Sequence, residues 1–160
     1  MNKKLLHEQL IRLLEEAYQG AVDAASRAYD TATNDENIAE NKYDTLALEA
    51  SYLAQGQSLR AEECAADLCA FKKLSSSTDT VKPCVRLGSL VVLLDMQDNE
   101  KYIFFGPAAG GLKLTFAEKE IVVVTPGSPL GCAVMNREAG DEVSVSIADK
   151  VSSYEIIRIY

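Results

Sequence analysis

The residues best suited to chemistry form an acidic cluster between two predicted helices. The segment "NDENIAENKYD", residues 34–44, contains Asp35, Glu36, Glu40 and Asp44. Glu36 and Glu40 are four positions apart, which places both carboxylates on one face of a helix. The question is why the chain concentrates carboxylates where a helical hairpin turns.

One answer is structural and needs no catalysis. Asn34 or Asp35 can N-cap the second helix, and Glu36 then lies in its first turn, where the helix dipole favours negative charge. The sequence leaves a catalytic answer open as well. In either case, two long flanking helices must hold the cluster at the turn of a hairpin.

Residues 4–74 have a helical pattern, because Pro is absent and Gly occurs only at positions 20 and 56. Apolar and small residues recur at alternating steps of three and four, the spacing of a coiled-coil seam. The predicted first-arm seam is Leu6, Leu10, Leu13, Ala17, Gly20, Ala24 and Thr31, with Arg27 breaking the set between the last two. The predicted second-arm seam is Leu46, Ala50, Leu53, Gln57, Arg60, Cys64, Asp67, Phe71 and Leu74, or a seam shifted to Leu59 and Leu68. With a turn at residues 31–35, the pattern predicts an antiparallel coiled-coil hairpin over residues 1–74.

The rest of the chain has the pattern of a small sheet with one short helix. The polar stretch "SSSTDTVKP" begins a linker over residues 75–84. Strand-like runs follow at residues 89–95, 101–105, 112–116, 120–125, 142–147 and 153–160. Ser128 is a good N-cap and Pro129 a good first residue for a short helix between the strands. The predicted fold class is α+β, with an antiparallel β domain over residues 85–160.

Composition and charge exclude several classes of function. A net charge of -8 argues against a protein that binds nucleic acid independently, because such proteins usually carry a basic surface. The longest apolar runs fall short of the roughly 20 residues of a membrane span. The first residues become charged too soon for a signal peptide. We therefore expect a cytoplasmic protein without membrane contact.

The cysteines and the single histidine do not form a metal-binding pattern. Cys64, Cys69, Cys84 and Cys132 include no CxxC pair, and His7 is distant in sequence from all four. This spacing argues against a zinc site. We expect the cysteines to be small apolar core residues in a reducing compartment, and His7 to lie on the helix surface.

Several motifs together resemble the Gre transcript-cleavage factors of bacterial RNA polymerase. "SPLGCAVMNREAGDEVSVSI" followed by "YEIIRIY" is similar to the C-terminal signature of that family. "VRLGSLVVLLD" is similar to its first C-terminal strand, and "ENKYD" after the turn is similar to its coiled coil. The resemblance covers nearly the whole chain.

The resemblance implies a fold and a function. Gre factors have an antiparallel coiled coil and an FKBP-like β domain, and they bind the secondary channel of RNA polymerase. The β domain docks at the channel rim, and the matching positions here are Gly127, Ser128, Pro129 and Leu130. Acids at the coiled-coil tip, matched by Asp35, Glu36, Glu40 and Asp44, help hold a polymerase Mg²⁺ while backtracked RNA is cleaved.

The resemblance also implies the partners and the cofactor. The partner is bacterial RNA polymerase, and nascent RNA is met only within that complex. The chain acts as a monomeric accessory factor rather than as an enzyme. It has no cofactor or metal of its own and shares the Mg²⁺ of the polymerase active site.

The tip departs from the family pattern and leaves an alternative function open. Gre factors carry Asp, two further residues, then Glu-Asn. If Glu40 and Asn41 take the Glu-Asn places, Asn37 stands where the Asp belongs. The alternative is a regulator of the same channel that does not stimulate cleavage.

Two further alternatives have other functions. An FKBP-like fold suggests a prolyl isomerase, whose pocket would be lined by Tyr102, Phe104, Phe105 and Phe116. The heptads alone would suit a coiled-coil interaction or dimer module.

Overall fold

The computed structural model describes residues 2–33, 46–74, 84–147 and 150–160. Within these ranges the chain forms α1 (Lys3–Thr33), α2 (Leu46–Leu74), β1 (Leu90–Asp95), β2 (Glu100–Phe105), β3 (Lys113–Phe116), β4 (Lys119–Val124), α3 (Pro129–Val134), β5 (Glu142–Ile147) and β6 (Lys150–Ile159). The predicted α+β class, with two long helices before a largely antiparallel sheet, is confirmed. The acidic cluster and most of the predicted linker lie outside the described residues.

The chain divides into two compact units. One comprises Met1–Leu10 together with Ala70–Tyr160, and the other comprises Ile11–Cys69. The first therefore combines the sheet with the start of α1 and the end of α2. The sequence-based boundaries of 1–74, 75–84 and 85–160 stay a prediction.

In the helical unit, α1 and α2 lie side by side. Ala24 and Ala28 of α1 and Leu53 and Gln57 of α2 line one open cavity of about 260 Å³. The buried seam residues are mostly small, and they are Leu14, Ala21 and Ala28 on α1 and Cys64 and Leu68 on α2.

The observed seam differs from the predicted seam by one position at several points. On α1, Leu14 and Ala21 are buried in place of Leu13 and Gly20. On α2, Ala54, Ala61 and Leu68 are more buried than the predicted Leu53, Arg60 and Asp67, while Leu59 is exposed. A heptad pattern can be read with either of two neighbouring residues at each step. At two steps of α2 one of the neighbouring residues is charged. Ala61 is more buried than Arg60, and Leu68 is more buried than Asp67, because burying a charge is costly.

The sheet has the strand order β3-β4-β2-β1-β6-β5. Neighbouring strands in it are antiparallel except β2 and β4, which pair in parallel. The chain reverses direction twice between β2 and β4, once before β3 and once after it, so β4 runs in the same direction as β2. Ala117 and Glu118 both have positive φ, 50° and 62°, so they form a two-residue hairpin turn. β3 folds back on β4, and β4 takes the place beside β2.

The two faces of the sheet have separate cores. On one face, Val91, Leu93, Ile103, Phe105 and Ile156 pack with Val134 of α3, and Leu130 and Ala133 pack against this cluster. Phe104 points to the other face, because side chains alternate along a strand. There it stacks on Phe71 of α2, with ring centroids 6.0 Å apart.

His7 is buried, contrary to the prediction that it lies on the helix surface. It is 4% exposed, and its ring lies 6.3 Å from the ring of Phe71 and 6.4 Å from that of Phe104. Its Nε2 is 3.0 Å from the carbonyl oxygen of Phe71. A carbonyl only accepts, so Nε2 carries the proton and donates. Phe71 is among the last four residues of α2, whose carbonyls have no partner within the helix, and His7 satisfies one of them.

We expect His7→Leu to lower the free energy of unfolding by about 1–3 kcal/mol, because the Phe71 carbonyl would stay buried without a donor. Urea titration followed by circular dichroism measures this difference. His7→Gln is the matched control, since its amide can still donate and should recover part of the loss. Equal stability of His7→Leu and the unaltered chain would show that the hydrogen bond contributes nothing net.

We also expect Gly106→Ala to destabilise the sheet unit by about 1–3 kcal/mol through overpacking. An added Cβ would lie 2.9 Å from Phe71 Cζ and 2.9 Å from Val123 Cγ1. The double variant Gly106→Ala/Phe71→Leu frees the space and should lose less than the sum of the two single losses. Strict additivity in a urea-based double-mutant cycle would contradict the contact.

Candidate docking site

The segment before α3 is fixed by hydrogen bonds of one serine. Ser128 has extended backbone angles, φ -81° and ψ 153°, and its Oγ accepts from the Gly131 amide at 3.0 Å. The same Oγ donates to the carbonyl oxygen of Thr125 at 2.8 Å. Pro129 occupies the first helical position, where its missing N–H costs nothing. The predicted cap and helix start are therefore confirmed.

Gly131 allows the first turn of α3 to pack against the preceding loop. It is buried, and a Cβ at this position would lie 1.9 Å from the Thr125 carbonyl oxygen. A side chain here would force the loop and helix apart. Sequence reasoning missed Gly131, because nothing in its local pattern reveals how close the Thr125 backbone comes.

The four predicted docking residues lie together, with two different environments. Gly127 and Pro129 are exposed, whereas Ser128 and Leu130 are half-buried. A Cβ at Gly127 would have no atom within 4 Å. Ser128 therefore positions the loop, and Gly127 and Pro129 are exposed at its surface.

Leu130 also lines an open cleft of about 480 Å³ over the sheet. The cleft is lined by Glu100, Lys101, Tyr102, Ile103, Glu118, Lys119, Glu120, Val122, Val124, Leu130 and Tyr154. Its aliphatic side chains come from β2, β4 and α3, and its charged ones from β2, β4 and the β3–β4 turn. Sequence reasoning had named only Leu130 and Tyr102 among these residues, because the others meet through strand pairing.

Four charged side chains of the cleft, Glu100, Lys101, Lys119 and Glu120, have partners among their neighbours. Tyr102 donates a hydrogen bond to Glu100, and this bond, with the Lys119 charge, lowers the pKa of Glu100. The same bond raises the pKa of Tyr102. Lys119 Nζ lies 3.7 Å from Glu100 Oε2, and Lys113 Nζ lies 3.1 Å from Glu120 Oε1. The cleft therefore offers few uncompensated charges to a ligand.

The aromatic residues proposed for a prolyl isomerase do not meet in this cleft. Phe104 and Phe105 are 0% and 1% exposed and belong to the cores on opposite faces of the sheet. Phe116 does not line the cleft, whose aromatic lining comes from Tyr102 and Tyr154. The geometry of the described chain therefore gives the isomerase alternative no support.

The predicted tip residues lie outside the described part of the chain. They are Asp35, Glu36, Asn37, Glu40 and Asp44. In the described ranges, no group of three or more His, Cys, Asp and Glu side chains is arranged to hold a metal ion. The helices there are also too short or too polar to cross a membrane.

The cysteines only partly follow the expectation of small core residues. Cys64 is buried and Cys84 half-buried. Cys69 and Cys132 are exposed, so the expectation is wrong for these two. All four thiols are free.

Comparison with solved structures finds the Gfh1 proteins of Thermus. The GreA factor homolog 1 (Gfh1) of Thermus thermophilus is 15% identical, with coverage of 98% of this chain and 94% of that one and a TM-score of 0.39. Gfh1 of Thermus aquaticus is 16% identical, with coverage of 96% and 92% and a TM-score of 0.41. No protein-family model matches the chain.

Comparison with curated sequences finds a transcription elongation factor GreA from Aliarcobacter butzleri. The two are 30% identical over 76 residues, which are 48% of this chain and 44% of the GreA chain. The match thus spans less than half of its curated relative. Within that span, it confirms the resemblance of this chain to the Gre family of transcription factors.

Proposed function

We propose that the chain is a Gre-type transcription elongation factor that binds bacterial RNA polymerase at its secondary channel and stimulates cleavage of backtracked RNA. The observation that carries the proposal is the 30% identity over 76 residues to a transcription elongation factor GreA. The chain acts as an accessory factor, and the polymerase performs the hydrolysis.

Two parts of the molecule have different tasks in this proposal. The loop at Gly127 and Pro129 docks on the channel rim. The segment between α1 and α2 carries Asp35, Glu36, Glu40 and Asp44 to the polymerase active site. There the carboxylates add oxygen ligands to a Mg²⁺ of the polymerase and orient the attacking water.

The geometry of the docking loop supports its assigned task. Ser128 ties the loop to Thr125 on one side and to Gly131 on the other. A loop already held in one conformation loses little entropy when a partner binds. The exposed Gly127 and Pro129 then contact the partner without rearrangement of α3.

The alternative is a regulator that occupies the same channel without stimulating cleavage. One observation favours it, namely Asn37 at the place of the family's Asp. An amide oxygen carries no net charge and binds Mg²⁺ more weakly than a carboxylate does. In this alternative the chain binds the same polymerase through the same loop, but it does not stimulate RNA cleavage.

We expect Gly127→Glu and Pro129→Glu each to weaken binding to core RNA polymerase by about tenfold or more, since a charge would be placed in the contact. The fold should persist, because Gly127 has open space around it and Glu suits the first turn of a helix. Gln97→Glu is the matched control, because it adds the same charge to an exposed turn between β1 and β2. Unchanged affinity of both loop variants in a pull-down titration would contradict docking through this loop.

We expect Glu36→Gln/Glu40→Gln to slow Mg²⁺-dependent cleavage in backtracked complexes by about tenfold or more, while polymerase binding stays unchanged. Gln preserves size and helix propensity, so the loss would reflect charge. The control Glu16→Gln/Glu62→Gln removes two charges from exposed helix positions and should leave cleavage intact.

Asn37→Asp separates the two functions. It should raise the cleavage rate if Asn37 occupies the aligned acidic position. If neither the unaltered chain nor Asn37→Asp stimulates cleavage, although both bind the polymerase, the regulator replaces the cleavage factor.

A further inference from the structure

Two successive carbonyl groups of the loop before α3 are held by hydrogen bonds. The Ser128 amide donates to the carbonyl oxygen of Thr125 at 3.0 Å. This bond closes a β-turn whose middle residues are Pro126 and Gly127. The Cys132 thiol of α3 donates to the carbonyl oxygen of Pro126, with a sulfur–oxygen distance of 3.0 Å. The peptide group between Pro126 and Gly127 is therefore fixed at its carbonyl end.

The fixed carbonyl determines the direction of the Gly127 amide. The peptide between Pro126 and Gly127 is trans, and in a trans peptide the C=O and N–H groups lie in one plane and point in opposite directions. Since the carbonyl points to the Cys132 thiol, the N–H points away from it. Gly127 is exposed, so its N–H is directed out of the loop into solvent.

The Gly127 amide is the main-chain donor that residues 126–129 leave for a partner. Positions 126 and 129 are proline and have no N–H, and the Ser128 amide is used within the turn. In the described part of the chain, no acceptor is hydrogen-bonded to the Gly127 N–H. A Cβ on Gly127 would have no atom within 4 Å, so a partner can reach the amide without a steric clash.

We propose that the Gly127 N–H donates a hydrogen bond to an oxygen atom of the polymerase, and that Cys132 is the residue that positions it. The inference rests on the proposed function, because it names one contact of the proposed docking loop. An amide whose direction is already fixed loses little entropy when the bond forms. The acceptor is a carboxylate or a main-chain carbonyl, which offer the same kind of oxygen atom and differ in charge.

An amide-to-ester substitution at Gly127, which replaces only the N–H by an oxygen atom, tests the contact. We expect it to weaken binding to core RNA polymerase by about two- to tenfold for a carbonyl acceptor and by about tenfold or more for a carboxylate, because hydrogen bonds to charged groups are stronger. The same substitution at Met96 is the matched control, since Met96 is exposed in the turn after β1, outside the docking loop. The control should bind like the unaltered chain.

Three variants of Cys132 test the positioning. Cys132→Ala removes the donor to the Pro126 carbonyl, whereas Cys132→Ser keeps a donor in its hydroxyl group. We expect Cys132→Ala to weaken binding by about two- to fivefold and Cys132→Ser to retain full affinity. Cys132→Val keeps an apolar side chain without a donor, so it should bind like Cys132→Ala.

Mobility of the free chain gives a readout that does not involve the polymerase. Loss of the thiol donor should release the peptide group and lower the NMR order parameter of the Gly127 amide in Cys132→Ala and Cys132→Val. Cys132→Ser should leave this order parameter unchanged. Equal order parameters in all three variants would show that the thiol does not position the amide.

The binding measurements separate this inference from the proposed function. If the Gly127 ester binds normally while Gly127→Glu and Pro129→Glu bind weakly, the amide contact is wrong and docking through the loop stands. Equal losses for the esters at Gly127 and Met96 would also overturn the contact. Full affinity of Cys132→Val with reduced affinity of Cys132→Ser would show that this side chain packs on the polymerase instead. If the ester and both Glu variants bind normally, docking through this loop fails, and the inference fails with it.

Discussion

The hydrogen bond from His7 to the Phe71 carbonyl joins the start of α1 to the end of α2 on the sheet. It provides a donor for a carbonyl that the end of a helix leaves without a partner. The rings of His7, Phe71 and Phe104 then fill the space between helix and strand. Because Gly106 contributes no Cβ, Phe71 can sit directly on the sheet. The attachment of both helix ends depends on this small group of residues.

Elements whose signals are local were predictable from the sequence. The predicted strand-forming runs became strands, and Ser128 and Pro129 correctly indicated the start of α3. Features that depend on distant contacts were not predictable in the same way. The partner of His7 is 64 positions away, and the parallel pairing of β2 with β4 passes over β3, which lies between them in sequence. The seam was ambiguous by one position, since small residues stand at neighbouring places along both helices.

The candidate site was predictable only where it is continuous in sequence. Gly127 to Leu130 form one short segment, so a motif could identify them together. The cleft beside Leu130 draws on β2, β4, β6 and the β3–β4 turn, and only strand pairing brings these together. Gly131 is needed because of one backbone oxygen of Thr125, which no spacing rule reveals.

The paired charges around the cleft have a consequence for ionic strength. Lys119 with Glu100 and Lys113 with Glu120 already neutralise one another within the same chain. Dissolved salt weakens the attraction between exposed charges of separate molecules, but it has little to screen where the charges are internally balanced. A partner seated in the cleft would therefore be held chiefly by its fit to the aliphatic side chains. Its affinity should change little between dilute buffer and concentrated salt.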